Sequence, residues 1–430
     1  MGRLWHRVFL EERPSISLSL FRIAVAVTVG AHVIPTLCNL PDNYYSTALK
    51  TFNLNFFTPE VVTFVQRSPD SLVLFFVLFF LVTWFFFLIG LFSQVSCILM
   101  TLSCYYFYAL NAYHIGTLSW DILLVTLFLM CVTPYHGDYF SVDAFRRGDA
   151  DAYRRKRSFF LQRLLQMQVA FTFFYTGLYK ISPPEGNWLT DNPLYYLLNY
   201  PPAGVTKWFL LRDFLADKPQ TCYFIGIAIL MTELSMPVLL AWQRTRLSAI
   251  YLGVFFHIVL LLTLDVPAIF FFLFPPQLFL WINPENILRW IEQKRFINGR
   301  SPRQKLIYDG NCQFCRGSVR KLLVMDLFAT VEVVDFHSVQ DVASLHPQLT
   351  KEKCMSQMYL IEPDGSLYGG FAVFRRLCFT MPMLYPLALL VYFPGAGIAG
   401  PAVYRWVAKN RYLFHANKTC ENNACFRKKG

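Results

Sequence analysis

The sequence predicts a polytopic α-helical membrane bundle of about eight helices, followed by an α/β domain at the C-terminus. Apolar residues make up 55% of the 430 residues, and mean hydropathy is +0.39. Only 15% of the residues are charged, where soluble domains carry about 25%. No Asp, Glu, Lys or Arg lies between Asp70 and Asp121, and the composition becomes polar after Trp290. Composition therefore excludes a disordered chain and argues against a fully soluble protein.

The individual helices follow from apolar stretches of about 18 to 20 residues, the length that crosses a bilayer. The candidates are 16–37, 70–92, 94–113, 118–134, 158–180, 220–242, 247–264 and 266–283, the last interrupted by Pro275-Pro276. The start of the fifth candidate helix contains the polar residues Gln162, Arg163, Gln166 and Gln168. We therefore expect this helix to cross the membrane only inside a bundle. The segment before the first helix carries charges and no apolar core, so we expect that helix to be an anchor and not a cleaved signal.

The net charge of +12 is compatible with a nucleic-acid partner or with basic cytoplasmic loops. The cations cluster before helix one, after helix four and after helix six: Arg3, Arg7, Arg13; Arg146, Arg147, Arg154, Arg155, Lys156, Arg157; Arg244, Arg246. With an even number of helices these segments share one side, which predicts a multi-pass protein with cytoplasmic N- and C-termini. The six cations after helix four could instead bind anionic lipid or RNA, but their juxtamembrane position favours the topological interpretation. The predicted partner is membrane lipid and not nucleic acid.

The domain boundaries follow from the change in composition. We predict a membrane domain over 1–290, a polar linker over 291–304 and an α/β domain over 305–430. In the last domain the expected elements are strands at 305–308 and 331–335, with a turn at 309–315 that enters a helix. A hairpin is expected over 358–368, with its turn at Pro363-Asp364-Gly365.

The clearest chemical motif is Cys312-Gln-Phe-Cys315, in which two thiols lie one helical turn apart at a helix N-terminus. Unsatisfied backbone N–H groups there lower the pKa of the first thiol, and the resulting thiolate attacks disulfides. The second thiol can then resolve the mixed disulfide. A C-x-x-C after a strand is typical of a redox site, so the predicted partner is a thiol or disulfide, on a protein or a small molecule.

A family resemblance covers roughly 305–425. Tyr308-Asp309-Gly-Asn-Cys312-Gln-Phe-Cys315 resembles the signature of the DCC thiol-disulfide oxidoreductase family. Further agreement comes from Pro363-Asp364-Gly365, the tail Tyr404-Arg-Trp-Val-Ala-Lys-Asn-Arg-Tyr412, Cys420 and Cys425. The resemblance implies a thioredoxin-like fold and a redox role for Cys312 and Cys315, with Tyr308 and Asp309 in support.

The cysteines also allow a different interpretation. Cys312, Cys315, Cys420 and Cys425 have spacings compatible with a four-thiolate zinc site. The alternative function is then a non-catalytic membrane scaffold or lipid-binding protein with a structural zinc module. The cysteines in or beside the apolar helices are interpreted as packing residues: Cys38, Cys97, Cys104, Cys131 and Cys222. Cys354 and Cys378 are left unassigned.

Ionisable side chains in the membrane region form the second candidate site. Helix lengths place Lys180 and His114 at the outer ends of their helices, and Glu233 and His257 near mid-depth. Such groups are costly in lipid, and convergence on one cavity would make them functional. The structural alternatives are an interfacial Lys180, an interfacial loop position for His114, and a buried Glu233–His257 pair.

A second resemblance bears on these residues. Tyr175-Thr-Gly-Leu-Tyr-Lys180-Ile with the later Trp188, Asn111-Ala-Tyr-His114, and Phe256-His257 resemble segments of the vitamin K-dependent gamma-carboxylases. Residues 10–285 therefore resemble the HTTM domain. The resemblance implies a quinone (vitamin K-like) as cofactor, Lys180 as the base that deprotonates a reduced quinone, and His114 as the group that stabilises the anion. The resulting hypothesis is a membrane-bound thiol-disulfide oxidoreductase coupled to quinol chemistry, with no metal at the site.

Overall fold

The computed structural model describes residues 6–38, 57–110, 118–182, 187–199, 212–263 and 272–411. The chain forms two compact units, and each contains two segments of sequence. The helical unit consists of Met1–Ser141 and Lys156–Glu285, and the α/β unit of Val142–Arg155 and Asn286–Gly430. The α/β unit therefore includes a short segment that is inserted between two parts of the helical unit.

Helices dominate the described residues. Those up to the start of the α/β domain are α1 Ile16–Cys38, α2 Pro59–Gln66, α3 Asp70–Ile89, α4 Ser93–Leu110, α5 Leu118–Met130, α6 Val142–Arg147, α7 Phe160–Tyr179, α8 Pro193–Asn199, α9 Arg212–Ala216, α10 Pro219–Ala241, α11 Arg246–Thr263 and α12 Phe274–Phe279. The remaining helices are α13 Pro284–Arg300, α14 Gln313–Met325, α15 Lys351–Ser356, α16 Phe371–Thr380, α17 Tyr385–Val391 and α18 Ala396–Asn410.

Seven of these helices lie where the sequence predicts spans: α1, α3, α4, α5, α7, α10 and α11. By length and composition, three of the described helices can cross a membrane, namely α1, α3 and α10. A fourth would be the pair Phe371–Thr380 and Pro382–Val391, which is bent by 114°. Of the last predicted span, 266–283, only residues 272–283 are described, and they contain the short helix α12, so the count of eight stays a prediction.

The polar start of α7 is buried inside the helical unit. The side-chain amides of Gln162 and Gln166 each donate to the Leu280 carbonyl at 2.7 Å. Both glutamines are buried, as are the apolar residues Leu161 and Leu165 of the same face. The Leu280 carbonyl, at the end of α12, thus accepts hydrogen bonds from two side-chain amides that would have no partner in lipid. The polar start of α7 is therefore packed against protein, and the expectation that this helix crosses a membrane inside a bundle stays a prediction.

A small sheet joins the N-terminal segment to the start of α7. Strand β1 (Glu12–Pro14) pairs antiparallel with β2 (Lys156–Ser158). Next to this sheet the buried carboxylate of Asp138 accepts two hydrogen bonds from Arg157, at 2.9 and 3.0 Å, and one from Ser15. The N-terminal segment and the loop after α5 therefore lie at the same end of the helical unit, and the membrane orientation stays a prediction.

The α/β unit contains a four-stranded sheet with the order β4-β3-β5-β6. Its strands are β3 Gln304–Tyr308, β4 Val331–Asp335, β5 Tyr359–Ile361 and β6 Leu367–Gly369. β3 and β4 are parallel and joined through α14, whereas β5 and β6 form an antiparallel hairpin beside β3. Gly365 in the hairpin turn has φ +85°, which favours glycine. The predicted strands, helix and hairpin are all confirmed.

Successive residues of β3 face opposite sides of the sheet. Leu306 packs in one hydrophobic cluster with Cys378, and Ile307 packs in another with Cys354. Burial raises the pKa of both cysteine thiols. The two cysteines that the sequence left unassigned are therefore buried core residues.

The predicted linker over 291–304 is wrong, because most of it is helical. α13 runs to Arg300, and its Ile291 is buried. Arg295 donates to the carbonyls of Asp326 and Leu327 at 3.1 and 2.9 Å, beyond the end of α14. A polar segment can form a packed helix when one face finds apolar and carbonyl partners, and those partners lie far away in the sequence.

Candidate dithiol site and membrane ion pair

The two thiols of the motif lie at the N-terminus of α14, after the central strand β3. Cys312 has extended backbone geometry and caps the helix, and its sulfur accepts a hydrogen bond from the Cys315 N–H at 3.2 Å. The Cys315 thiol donates to the Cys312 sulfur at 2.7 Å. Both residues are buried, with Cys312 only 1% exposed. Cys312 thus receives two hydrogen bonds that favour its thiolate form.

These contacts give the two thiols opposite acidities. The hydrogen bond from the Cys315 thiol is the main reason that the pKa of Cys312 is lowered from 9.0 to about 7, with help from the backbone N–H and from the positive charge of Arg411. The same contact, with burial, raises the pKa of Cys315. Cys312 is therefore the thiol of the pair that forms a thiolate more readily.

Asp309, in the turn before the dithiol, is the centre of a buried ionic cluster. Its carboxylate lies 3.0 Å from His337 Nε2 and accepts a hydrogen bond from Arg411 Nη2 at 3.2 Å. The Arg411 and Asp309 side chains are only 6% and 4% exposed. Arg411 also donates to the Met355 carbonyl. The cluster fixes the turn and places a guanidinium and a carboxylate close enough to the dithiol to act on the pKa of Cys312 in opposite directions.

The glycine of the Asp309-Gly310 pair is required by a close approach. Its N–H donates to Asp335 at 3.0 Å, and a Cβ built at this position would lie 1.9 Å from the Asp335 carboxylate. Asp335 ends β4, the parallel neighbour of β3. The carboxyl ends of two adjacent parallel strands therefore meet at the dithiol turn, which is the usual location of sites in such sheets.

Arg411 and His337 are the residues of this site that sequence reasoning missed. Arg411 lies within the quoted tail motif but had no assigned role, and it follows directly after α18. In that helix the Tyr404 hydroxyl accepts a hydrogen bond from the Met358 N–H at 3.0 Å, just before β5. His337 could have been found, because it follows β4 and the ends of neighbouring parallel strands converge. The predicted supporting residue Tyr308 ends β3 and packs in the Leu306 cluster.

In the helical unit, Lys180 and Glu233 form a direct ion pair. Lys180 at the end of α7 donates to both carboxylate oxygens of Glu233 in α10, at 2.7 and 2.6 Å. The Nζ atom lies 5.4 Å from the centre of the Trp188 ring. Gly177 permits the close contact, because a Cβ there would lie 2.8 Å from the Leu234 side chain in α10. The structure thus brings together two of the four predicted membrane residues.

The other two membrane residues have different outcomes. His257 is buried among aromatic rings, stacked on Phe274 at 4.8 Å, and its Nδ1 lies 2.7 Å from the Gly253 carbonyl. The carboxylate of Glu233 is thus held by Lys180 and not in the alternative pair with His257. His114 lies outside the described residues, so a shared pocket with Lys180 stays a prediction.

Comparison with protein families accounts for both parts of the chain. The HTTM domain family matches residues 11–282, more than half of the sequence. The chain belongs to the HTTM family. The DCC1-like thiol-disulfide oxidoreductase family matches residues 306–416, the part that carries the dithiol. No curated protein and no solved structure matches the chain.

The protein is thus an HTTM domain fused to a DCC1-like thiol-disulfide oxidoreductase domain, as both resemblances imply. Its apolar helices and the HTTM match indicate a membrane protein. Within the DCC1-like match lie the dithiol, Asp309, His337 and Arg411.

The zinc interpretation depends on cysteines beyond the described part of the DCC1-like domain. Among the described residues, no group of three or more His, Cys, Asp or Glu side chains could hold a metal ion. Cys420 and Cys425 lie outside these residues. The four-thiolate zinc site therefore stays a prediction.

Proposed function

We propose that this HTTM protein is a membrane-bound thiol-disulfide oxidoreductase in which Cys312 attacks and Cys315 resolves. The observation that carries the proposal is the hydrogen bond from the Cys315 thiol to the Cys312 sulfur at the N-terminus of α14. It stabilises the thiolate on the first cysteine and keeps the proton on the second. The parallel β3–α14–β4 unit, with the dithiol directly after its first strand, supports a thioredoxin-like fold for this domain.

The chemistry is a two-electron exchange with a partner disulfide. The Cys312 thiolate attacks one partner sulfur, the partner S–S bond breaks, and the departing thiolate takes up a proton. The Cys315 thiol then loses its proton and attacks the Cys312 sulfur, which releases the second partner thiol. The partner is reduced, and the protein is left with a Cys312–Cys315 disulfide. Because both cysteines are buried, the covering side chains must move before the partner can reach them.

Trapping the mixed disulfide tests this assignment. The full-length Cys315→Ser variant should accumulate a covalent adduct with a disulfide partner, because resolution is blocked, whereas Cys312→Ser should form none. Cys378→Ser is the matched control, since that residue lies in the core of the same domain and should leave the exchange unchanged. Trapping by the Cys312→Ser variant, or equal adduct yields for both single variants, would reverse or remove the assignment.

The Lys180–Glu233 pair favours a second activity, quinol chemistry in the HTTM domain. A bound quinol would supply two electrons and two protons. The chain offers a buried carboxylate, an ammonium group and the Trp188 ring in one place, which fits an aromatic ligand with hydroxyl groups. In this geometry Lys180 Nζ contacts both carboxylate oxygens of Glu233, so the two side chains form one unit. We therefore propose that the two residues act as a pair, with His114 as the anion-stabilising group.

Two variants distinguish this activity from simple anchoring. Lys180→Met and Glu233→Gln should each abolish turnover of a reduced quinone while the protein still inserts in the membrane, because each removes one charge and keeps the side-chain stem. Lys218→Met is the matched control, since Lys218 lies at the start of α10 over the Phe214 ring. Quinol turnover that survives in Lys180→Met, or a variant that no longer folds, would make the ion pair structural. The thiol chemistry would be unaffected by that result.

A further inference from the structure

The helices at the end of the described chain expose an unusual amount of apolar surface. α17 and α18 pack on one another and on α16, yet the side chains of Leu389, Leu390, Phe393, Ile398 and Val403 are between 60% and 84% exposed. We call these five residues the apolar face. Single exposed apolar residues are ordinary, but a cluster of this kind on a water-facing domain marks an interaction surface.

The residues in and beside the three helices carry an excess of positive charge. After Asp364 no Asp or Glu occurs until Glu421, and the cations of this stretch include Arg375, Arg405 and Lys409. Arg376 and Arg411 are paired with Glu362 and Asp309. Leucine and phenylalanine beside basic residues are typical of helices that lie in the interface of an anionic bilayer. Two copies of this face would bring cations together, which disfavours a homodimer through it.

The path of the chain argues against a straight span formed by α16 and α17. The pair Phe371–Thr380 and Pro382–Val391 is apolar enough for a span, but it is bent by 114° at the break. Val373 and Leu377 of α16 are buried in the core of the DCC1-like domain, so this helix is occupied by protein contacts. α17 and α18 carry most of the exposed apolar side chains of these three helices, whereas α16 exposes Phe379.

We propose that the apolar face inserts into the headgroup region of an anionic lipid bilayer and docks the DCC1-like domain on it. Because the HTTM domain already anchors the chain in a membrane, docking of the second domain is intramolecular and costs little additional translational entropy. α18 links this face to the redox site, because Arg411 at its end contacts Asp309 beside the dithiol. Docking therefore holds Cys312 within about one helix length, roughly 22 Å, of the lipid surface. The proposal concerns the surface alone and does not depend on the chemistry of the dithiol.

Photo-crosslinking of the full-length protein in nanodiscs tests the docking. A photoreactive amino acid is introduced at Leu389 or Ile398, and at the exposed hairpin position Asp364 as the matched control. In nanodiscs of phosphatidylcholine and phosphatidylglycerol we expect lipid adducts at the first two positions and only background at the third. Leu390→Asp should lower the adduct yield at Ile398 by roughly tenfold or more, because a charge replaces a lipid-buried leucine. Gln348→Asp, an exposed substitution elsewhere in the domain, should leave the yield unchanged.

The outcomes separate lipid from other occupants. Adduct yields no higher at Ile398 than at Asp364 would overturn the proposal. Crosslinks between two protein chains at Leu389 or Ile398 would replace it with a dimer interface. An adduct yield that is the same in phosphatidylcholine alone would overturn the anionic part of the assignment. Leu390 is largely exposed, so its substitution leaves the folded core intact. The check on folding is the rate of Cys312 alkylation, compared between the variant and the unsubstituted protein.

Discussion

The acidity of Cys312 should depend mainly on the thiol of its neighbour. The Cys315 thiol donates to the Cys312 sulfur, and this contact is the largest cause of the pKa of about 7, against an ordinary 9.0. Cys315→Ala removes the donor, so the pKa of Cys312 should rise towards 9. Cys315→Ser keeps a hydroxyl donor at the same position and should give a smaller rise.

The expected change in reactivity follows from the thiolate fraction. At pH 7, a thiol with a pKa of about 7 is roughly half ionised, whereas one with a pKa of about 9 is only about one hundredth ionised. The fall in thiolate fraction is therefore about fiftyfold. The more basic thiolate is the stronger nucleophile, by roughly eightfold for a shift of about two pKa units. We thus expect Cys315→Ala to slow alkylation of Cys312 about sixfold at pH 7, to match the wild type at about pH 8, and to exceed it at higher pH.

The assay is the pH dependence of iodoacetamide alkylation, read for each cysteine by peptide mass spectrometry of the full-length protein. Cys354 is an internal reference, because burial raises the pKa of its thiol and it should react slowly in every variant. The reasoning is refuted if the Cys312 midpoint stays near 7 in Cys315→Ala. A wild-type midpoint near 9 would equally refute it, because no thiolate would then be stabilised.

Three further predictions concern the surroundings of the dithiol and the topology. Arg411→Met should destabilise the DCC1-like domain by about 3 kcal/mol, because it leaves the buried Asp309 carboxylate without its guanidinium partner. The same change should raise the pKa of Cys312. An unchanged denaturant midpoint would contradict the first expectation. Gly310→Ala should destabilise the same domain, because its Cβ would collide with the Asp335 carboxylate. Gly317→Ala is the control: nothing lies within 4 Å of its Cβ, so it should stabilise the domain by up to about 1 kcal/mol. Equal unfolding midpoints for the two variants would contradict this prediction. An impermeant thiol reagent on intact cells should miss Cys312 and reach a cysteine introduced at Asn192; labelling of Cys312 would reverse the predicted orientation.

Local sequence determined a large part of this protein. The charge-free stretch after Asp70 specifies α3 and α4, because apolar length and helix formation are properties of consecutive residues. The same holds for the β5–β6 hairpin, whose Pro363-Asp364-Gly365 turn is read directly from its residues. The dithiol follows too, since Cys312 and Cys315 are placed by a single helical turn. In each case the interacting groups are neighbours in the chain.

Tertiary structure decided which distant groups meet. Arg411 reaches Asp309 across 102 residues, and Lys180 reaches Glu233 across 53. The sequence could name Lys180 and Glu233 as costly in lipid, but it could not pair them, since Glu233 had His257 as an equally plausible partner. Likewise the polar run after Trp290 is a packed helix and not a linker, because its face meets carbonyls at the end of α14. Composition and periodicity describe what one segment can form, whereas the partner of a buried charge is fixed only when elements remote in sequence dock against each other.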